Sequence, residues 1–263
     1  MRPPLTARAL VGSCHPGPTL AVTLISALLA RPLGHSLDTG ALVTGAVFAG
    51  QLTIGWSNDL IDLERDRASG RRDKPLAAGL VAPRVVRLAI AVAGLACLGL
   101  SLAGGWVSAL LHLAAVVGSG WAYNLGLKRT IASWIPYAVA FGALPAVVAL
   151  AAPARAWPPM WMMATGALLG VGAHLLNAVP DLADDAATDV RALPHALGER
   201  GARIGSVAML LAGTGLAAVA TRRLALVLVA AVIAAIALRG RGQRPFYAAA
   251  ALAVLTVAAL AWP

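Results

Sequence analysis

Long apolar runs alternate with short polar or charged breaks from one end of the chain to the other. A helix that crosses the hydrocarbon core of a bilayer needs about 20 mostly apolar residues. Measured with that length, the chain divides into nine candidate spans. They run near Gly17–Ala30, Leu37–Ser57, Val85–Ala103, Trp106–Tyr123, Trp134–Ala152, Met160–Val179, Ala202–Ala220, Leu224–Leu238 and Phe246–Trp262, the eighth being short. The pattern predicts an all-α polytopic membrane helix bundle of about nine transmembrane helices, a single domain over residues 1–263.

Composition agrees with this. The chain has 263 residues, of which 59% are hydrophobic and 12% charged, with a mean hydropathy of +0.79. Soluble domains carry about 25% charged residues, so a water-soluble globule is excluded, and so is a disordered chain. Cys14 and Cys97, the two cysteines, lie far apart in sequence and imply neither a disulfide framework nor a zinc site. The net charge is +10, from 21 Lys and Arg against 11 Asp and Glu. With the N-terminus on the cytoplasmic side, 17 of those 21 basic residues fall in cytoplasmic segments and 4 outside. This is the bias of the positive-inside rule, so the charge requires no nucleic acid. Trp106, Trp157 and Trp262 fall at outer ends and Trp121 and Trp134 at inner ends, as in an interfacial belt. Val11-Gly12-Ser13-Cys14 imitates a lipoprotein cleavage site, but the apolar run follows the cysteine. The first span therefore reads as a retained helix, not a cleaved signal.

The acidic residues are concentrated. All but Asp38 lie in two segments that follow the second and sixth apolar runs. In the first, Asn58, Asp62 and Asp66 stand at i, i+4, i+8, with Asp59 beside them; in the second, Asn177, Asp181 and Asp185 repeat that spacing, with Asp184 and Asp189 nearby. Residues three and four apart share a helix face, and like charges so placed repel. A cation should relieve them: arginines of the same loops (Arg65, Arg67, Arg71, Arg72), or a hard divalent ion. Mg²⁺ takes oxygen ligands and is commonly held by one or two carboxylates plus substrate phosphates. Two facing stripes would make two half-sites bridged by a diphosphate, and ionisable groups at membrane depth are usually functional.

Asn58-Asp59-x-x-Asp62-x-x-x-Asp66 resembles the first aspartate-rich motif of the UbiA-type intramembrane prenyltransferases, and Asp181-x-x-x-Asp185 resembles their second. The likeness extends to Lys74-Pro75-Leu76-Ala77-Ala78-Gly79, to Tyr123-Asn124 with Lys128, and to Leu193–Gly198, and so covers nearly the whole chain. It departs at Lys74, where many members have arginine, at Asp189, where glycine is common, and at the extra acid Asp184. The resemblance implies a helix bundle around a central cavity, capped on the cytoplasmic side by the two acidic loops. It implies a prenyl diphosphate bound through Mg²⁺ and a prenyl group passed to a small-molecule acceptor, often aromatic.

On that reading Asp59, Asp62, Asp66, Asp181 and Asp185 hold Mg²⁺. Lys74, Lys128 and Tyr123 serve catalysis, and Asn58, Asn177, Arg72 and Asn124 bind substrate. The only two lysines both lie in these loops. A π face from Trp56 or Tyr123 could stabilise an allylic cation. His15 and His195 read as loop or interface residues, His112 as a satisfied helix histidine, and His174 as within reach of the cavity. The Gly166–Gly172 and Gly213–Gly215 stretches fit close helix packing, and no Walker or GxGxxG pattern suggests nucleotide chemistry. A UbiA-type terpene cyclase would ionise the same diphosphate and stands as the alternative; a secondary transporter is more distant, since its site would sit near the midplane. The expected location is the cell membrane, with the N-terminus and both aspartate-rich loops cytoplasmic and no obligate protein partner.

Overall fold

A computed structural model of the chain describes residues 5–182 and 192–261, apart from the side chains of Leu5, Asp181 and Ala261. Among the described residues every regular element is helical. In chain order they are α1 (Leu5–Gly12), α2 (Pro16–Ala30), α3 (Leu37–Ile61), α4 (Leu63–Ala68), α5 (Pro83–Ala103), α6 (Trp106–Leu125), α7 (Ile135–Ala151), α8 (Met160–Ala178), α9 (Leu193–Thr221), α10 (Ala225–Arg239) and α11 (Arg244–Ala261). Two short 3-10 turns, Leu127–Arg129 and Val179–Asp181, follow α6 and α8.

Local chemistry sets the ends. Ser36 caps α3 by accepting from the Thr39 backbone N–H at 3.3 Å. Prolines open α2, α5, α7 and α9 in their first two positions, where a missing N–H costs nothing. Inside α6, residues His112–Val117 form a π-helical turn, and Pro145 interrupts the hydrogen-bond ladder of α7. Gly198, at φ 66°, kinks α9.

The bundle closes as a ring, because α11 packs back against α2 as well as against α8 and α10. One core joins Val22, Ile25 and Leu29 of α2 to Val43 and Val47 of α3 and Leu144 to Val148 of α7. Another joins Leu169 and Leu176 of α8 to Leu210 of α9 and Phe246 and Leu252 of α11. Large apolar side chains also cover much of the outside. On α10 and the residue before it, Leu224, Leu228, Val232 and Ile236 are exposed at i, i+4, i+8, i+12, and Leu88, Val92, Leu95 and Leu102 are exposed along α5. Such stripes suit a hydrocarbon solvent.

The expectation of about nine transmembrane helices is not met. Among the described residues four helices are long and apolar enough to cross a membrane, namely Leu37–Ile61, Pro83–Ala103, Trp106–Leu125 and Leu193–Thr221, or five if the bent pair Thr6–Gly12 and Pro16–Ala30 counts as one span. Turns and caps consume the ends of the other runs. Ile135–Ala151 has 17 residues and Ala225–Arg239 has 15; at 1.5 Å per residue each is about 23–26 Å long, short of the ~30 Å core. Met160–Ala178 has 19 residues but carries His174 and Asn177, which dilute its apolar character. The several long apolar helices still make this a multi-pass membrane protein.

Candidate active site

The C-terminal end of α3 carries the first acidic stripe. Helical hydrogen bonding persists through the bend at Asp62: its N–H donates to the Asn58 carbonyl at 3.0 Å, and the Asp66 N–H donates to the Asp62 carbonyl at 2.8 Å. The i, i+4, i+8 face therefore survives into α4. Asp59, Asp62 and Asp66 are all buried, at 3%, 2% and 4% exposure, so each carboxylate needs a counter-charge.

Lysines and arginines supply it. Lys74 Nζ lies 2.8 Å from Asp66 Oδ2 and 3.3 Å from Asp59 Oδ1, bridging the two. Lys128 Nζ is 2.5 Å from Asp62 Oδ2, and an Arg65 guanidinium nitrogen is 3.0 Å from the same oxygen. Burial pulls both lysine pKa values down. At Lys74 the surrounding Asp59, Asp66 and Asp62 outweigh burial and raise it above the ordinary lysine value. At Lys128, with Asp62 as its one acidic partner and Arg65 and Lys74 adding repulsion, burial prevails and the value falls. The arginine-pairing expectation holds further out: Arg67 meets Glu64 at 3.2 Å and Arg71 grips Asp73 at 2.9 Å. The Arg71 hydrogen bond draws the Asp73 pKa below its usual value.

All of these groups except Glu64 and Arg67 line a cavity of about 510 Å³ at one end of the bundle, together with Asn58, Tyr123, Asn124, Tyr137, Asn177 and Arg129. Below it lies an apolar chamber of about 180 Å³. The two share Pro18, Gln51, Ile54, Tyr123, Tyr137, Asn177 and Phe246, so the polar mouth continues into the apolar interior. An edge-to-face pair, Tyr123 and Tyr137 with ring centroids 5.3 Å apart, stands at the junction, and His174 lies 4.7 Å from Tyr137. The side chains of Tyr123 and Asn177 are within hydrogen-bond reach of the Tyr137 hydroxyl.

Of the residues singled out from sequence, Asn58, Asp59, Asp62, Asp66, Lys74, Tyr123, Asn124, Lys128 and Asn177 all line the mouth. Asn58 and Asn124 are joined, with Asn58 Nδ2 donating to Asn124 Oδ1 at 3.0 Å; Asn124 in turn donates to the Ile54 carbonyl and to Ser57 Oγ, both at 2.9 Å. Asn124 thus locks α6 to α3. Arg72 is exposed and lies off the cavity wall, which Arg71 joins instead. Asp181 ends a 3-10 turn after α8; its side chain, and Asp184, Asp185 and Asp189 altogether, lie outside the described residues. Trp56 packs in the core and donates to the Leu10 carbonyl at 2.9 Å, away from the cavity wall. His174 is buried against the tyrosines with Nε2 3.0 Å from Ser133 Oγ. Tyr137 and Gln51, which the sequence pattern does not mark, also line the mouth, as does His15, read from sequence as a loop or interface residue. Their order along the chain places them on three separate helices or breaks, and no local spacing announces that they converge.

The donor set suits a hard divalent cation. Carboxylate oxygens are the ligands Mg²⁺ prefers, and Asp62 Oδ1 is buried with no hydrogen-bond partner among the described residues. Among those residues no three His, Cys, Asp or Glu side chains cluster closely enough to hold a metal by themselves. A site here therefore calls on the substrate or on the second acidic segment for further ligands.

None of the curated proteins matches the chain in sequence. Among solved structures, the fold resembles an apo UbiA homolog from Aeropyrum pernix K1 with a TM-score of 0.76 at 21% identity, covering 94% of this chain and 96% of that one. It resembles a UbiA homolog from Archaeoglobus fulgidus bound to GPP and Mg²⁺ with a TM-score of 0.70 at 18% identity, covering 96% and 99%. It also resembles a digeranylgeranylglyceryl phosphate synthase at 0.66 and 14%, covering 97% and 96%. At these identities the likeness concerns the fold. Sequence carries the assignment further: residues 19–262 match the UbiA prenyltransferase family, and the chain belongs to that family and so to the enzymes of prenyl transfer.

Proposed function

We propose that this protein transfers a prenyl group from a prenyl diphosphate, held through Mg²⁺ at the acidic mouth, to a small-molecule acceptor in the membrane. The observation that carries the reading is the continuity of the polar mouth with the apolar chamber through seven shared residues. Such a cavity fits one amphiphile, with its charged head among the aspartates and its hydrocarbon tail among Val22, Ile25, Phe141 and Leu169. The Archaeoglobus fulgidus homologs bound to GPP and Mg²⁺ and to DMAPP and Mg²⁺ support that choice of ligand.

Asp59, Asp62 and Asp66 would hold the ion, joined by Asp181 and Asp185 from the second segment. When bound, Mg²⁺ neutralises negative charge developing on the departing diphosphate. The protein's own groups do the rest. Lys74 and Lys128 turn from the carboxylates toward the diphosphate oxygens, supplying fixed positive charge where negative charge grows. Asn58 and Asn177 donate to the head group. The Tyr123 and Tyr137 rings flank the allylic carbon at the junction, offering π faces to a developing cation, and the apolar chamber keeps water from that carbon. Lys74, Arg71, Lys128 and Arg129 all gather at the mouth, which by the positive-inside rule faces the cytoplasm.

Purified protein in detergent, given labelled prenyl diphosphates of several lengths with a panel of acceptors, tests the reading. The expected result is Mg²⁺-dependent release of diphosphate with the label moved to an acceptor. Release with a cyclised hydrocarbon and no acceptor adduct would assign a cyclase instead, and no release with any diphosphate would end the proposal.

A further inference from the structure

At the break between α1 and α2 the chain turns through 66°, and His15 sits at the corner with φ 53° and ψ 66°. A left-handed backbone is uncommon for a residue other than glycine, and it persists only where the surroundings over-determine it. Here they do. The Cys14 carbonyl accepts from Thr19 Oγ1 at 2.9 Å and presses on Gly55 of α3, where any Cβ would overlap that carbonyl. Trp56 Nε1 holds the Leu10 carbonyl. The product of this arrangement is a single contact: His15 Nε2 donates to Asp59 Oδ1 at 3.0 Å.

The same strap reaches the other partner of Asp59. A Cβ at Gly12 would lie 2.9 Å from Pro75 Cγ, so the end of α1 rests on the residue after Lys74. Asp59 Oδ1 is thereby held from two sides, by His15 directly and by Lys74, whose loop the strap braces. When Lys74 leaves Asp59 for an incoming diphosphate, His15 remains to keep the carboxylate aimed at the cavity.

We propose that His15 is a positioning residue of the active site, presented by the strained α1–α2 strap to orient Asp59 for divalent-cation binding. The inference rests on the prenyl diphosphate reading of the mouth and adds to it a residue outside both aspartate-rich segments. Loss of a partner that orients a metal ligand costs about 10–100-fold in metal affinity or activity.

The test is Mn²⁺ binding, followed by electron paramagnetic resonance on the purified full chain in detergent with inorganic pyrophosphate present. In His15→Asn the backbone keeps its left-handed turn, which asparagine tolerates, but the shorter side chain falls short of Asp59. Its Mn²⁺ dissociation constant should rise about 10–100-fold with the thermal midpoint unchanged. His15→Gln, whose amide nitrogen can occupy the Nε2 position, should recover most of that loss. Gly55→Ala, which lifts the strap and leaves His15 intact, should reproduce it. Wild-type affinity in His15→Asn overturns the proposal. Should that variant unfold, the comparison passes to His15→Gln against His15→Met, and equal affinity in those two overturns it. Absence of Mn²⁺ binding by the wild-type protein would bring down the reading of the mouth itself, and this inference with it.

Discussion

The two oxygens of Asp62 differ sharply: one is shared by Lys128 and Arg65, and the other is buried and unpartnered among the described residues. Replacing it by asparagine preserves shape but removes the charge that a cation requires. Asp62→Asn is expected to lower turnover by more than about 100-fold, a loss of about 2.7 kcal/mol in transition-state stabilisation, while circular dichroism shows the helix content intact. Asp181→Ala should be comparably inactive if the second segment completes the site. Tyr137 makes a different kind of contribution. Tyr137→Phe keeps the ring stack and deletes the hydroxyl near Tyr123 and Asn177, so kcat is expected to fall about 10-fold with KM little changed. Loss in KM alone would mean that the hydroxyl serves binding. A neutral hydrogen bond contributes about 0.5–1.5 kcal/mol, and about 1.4 kcal/mol corresponds to tenfold in rate.

At the scale of elements, the approach of α7 to α8 shapes the tail site. Gly166 and Gly170 lie under Phe141, whose ring atoms come within 2.9 Å of where a Gly170 Cβ would stand. Phe141 borders both the apolar chamber and a further recess of about 40 Å³ reaching Trp161 and Leu260. Phe141→Ala should merge the two and lengthen the prenyl chain accepted, whereas Gly170→Val should push the ring inward and shorten it. Competition between diphosphates of different lengths reads both shifts, and unchanged length preference in both variants would remove Phe141 from that role. The glycine spacing behind this contact was legible in the sequence, as was the acidic face at the end of α3, because both are periodic within one helix. Span number was not, because an apolar run does not reveal how many of its residues go into Pro-led caps and turns such as those around Pro16, Pro136 and Pro159. The meeting of His15, Gln51 and Tyr137 at one mouth was hidden for a related reason: it depends on how α2, α3 and α7 close the ring.

At the scale of the whole molecule, α3 runs from Leu37, which is 94% exposed, to the acidic mouth. Arg129 is exposed at the mouth. Both natural cysteines are buried, so single cysteines introduced at positions 37 and 129 should be labelled by an impermeant thiol reagent from opposite sides of the membrane. The position 129 label is expected from the cytoplasmic side. Labelling of both from one side would contradict the multi-pass arrangement of α3.

The pairing of Lys74 and Lys128 with the mouth carboxylates has a consequence for the enzyme's life in the cell. The lysines act as built-in counterions, so the resting protein does not depend on a bound ion for its structural integrity, unlike domains in which metal capture is the folding step. Chelation should therefore abolish turnover yet leave the melting temperature within about 2 °C, a shift that would correspond to about 1 kcal/mol for a chain of this size. Magnesium scarcity would then idle the enzyme without marking it for destruction, and activity would return as soon as the ion did, with no new synthesis.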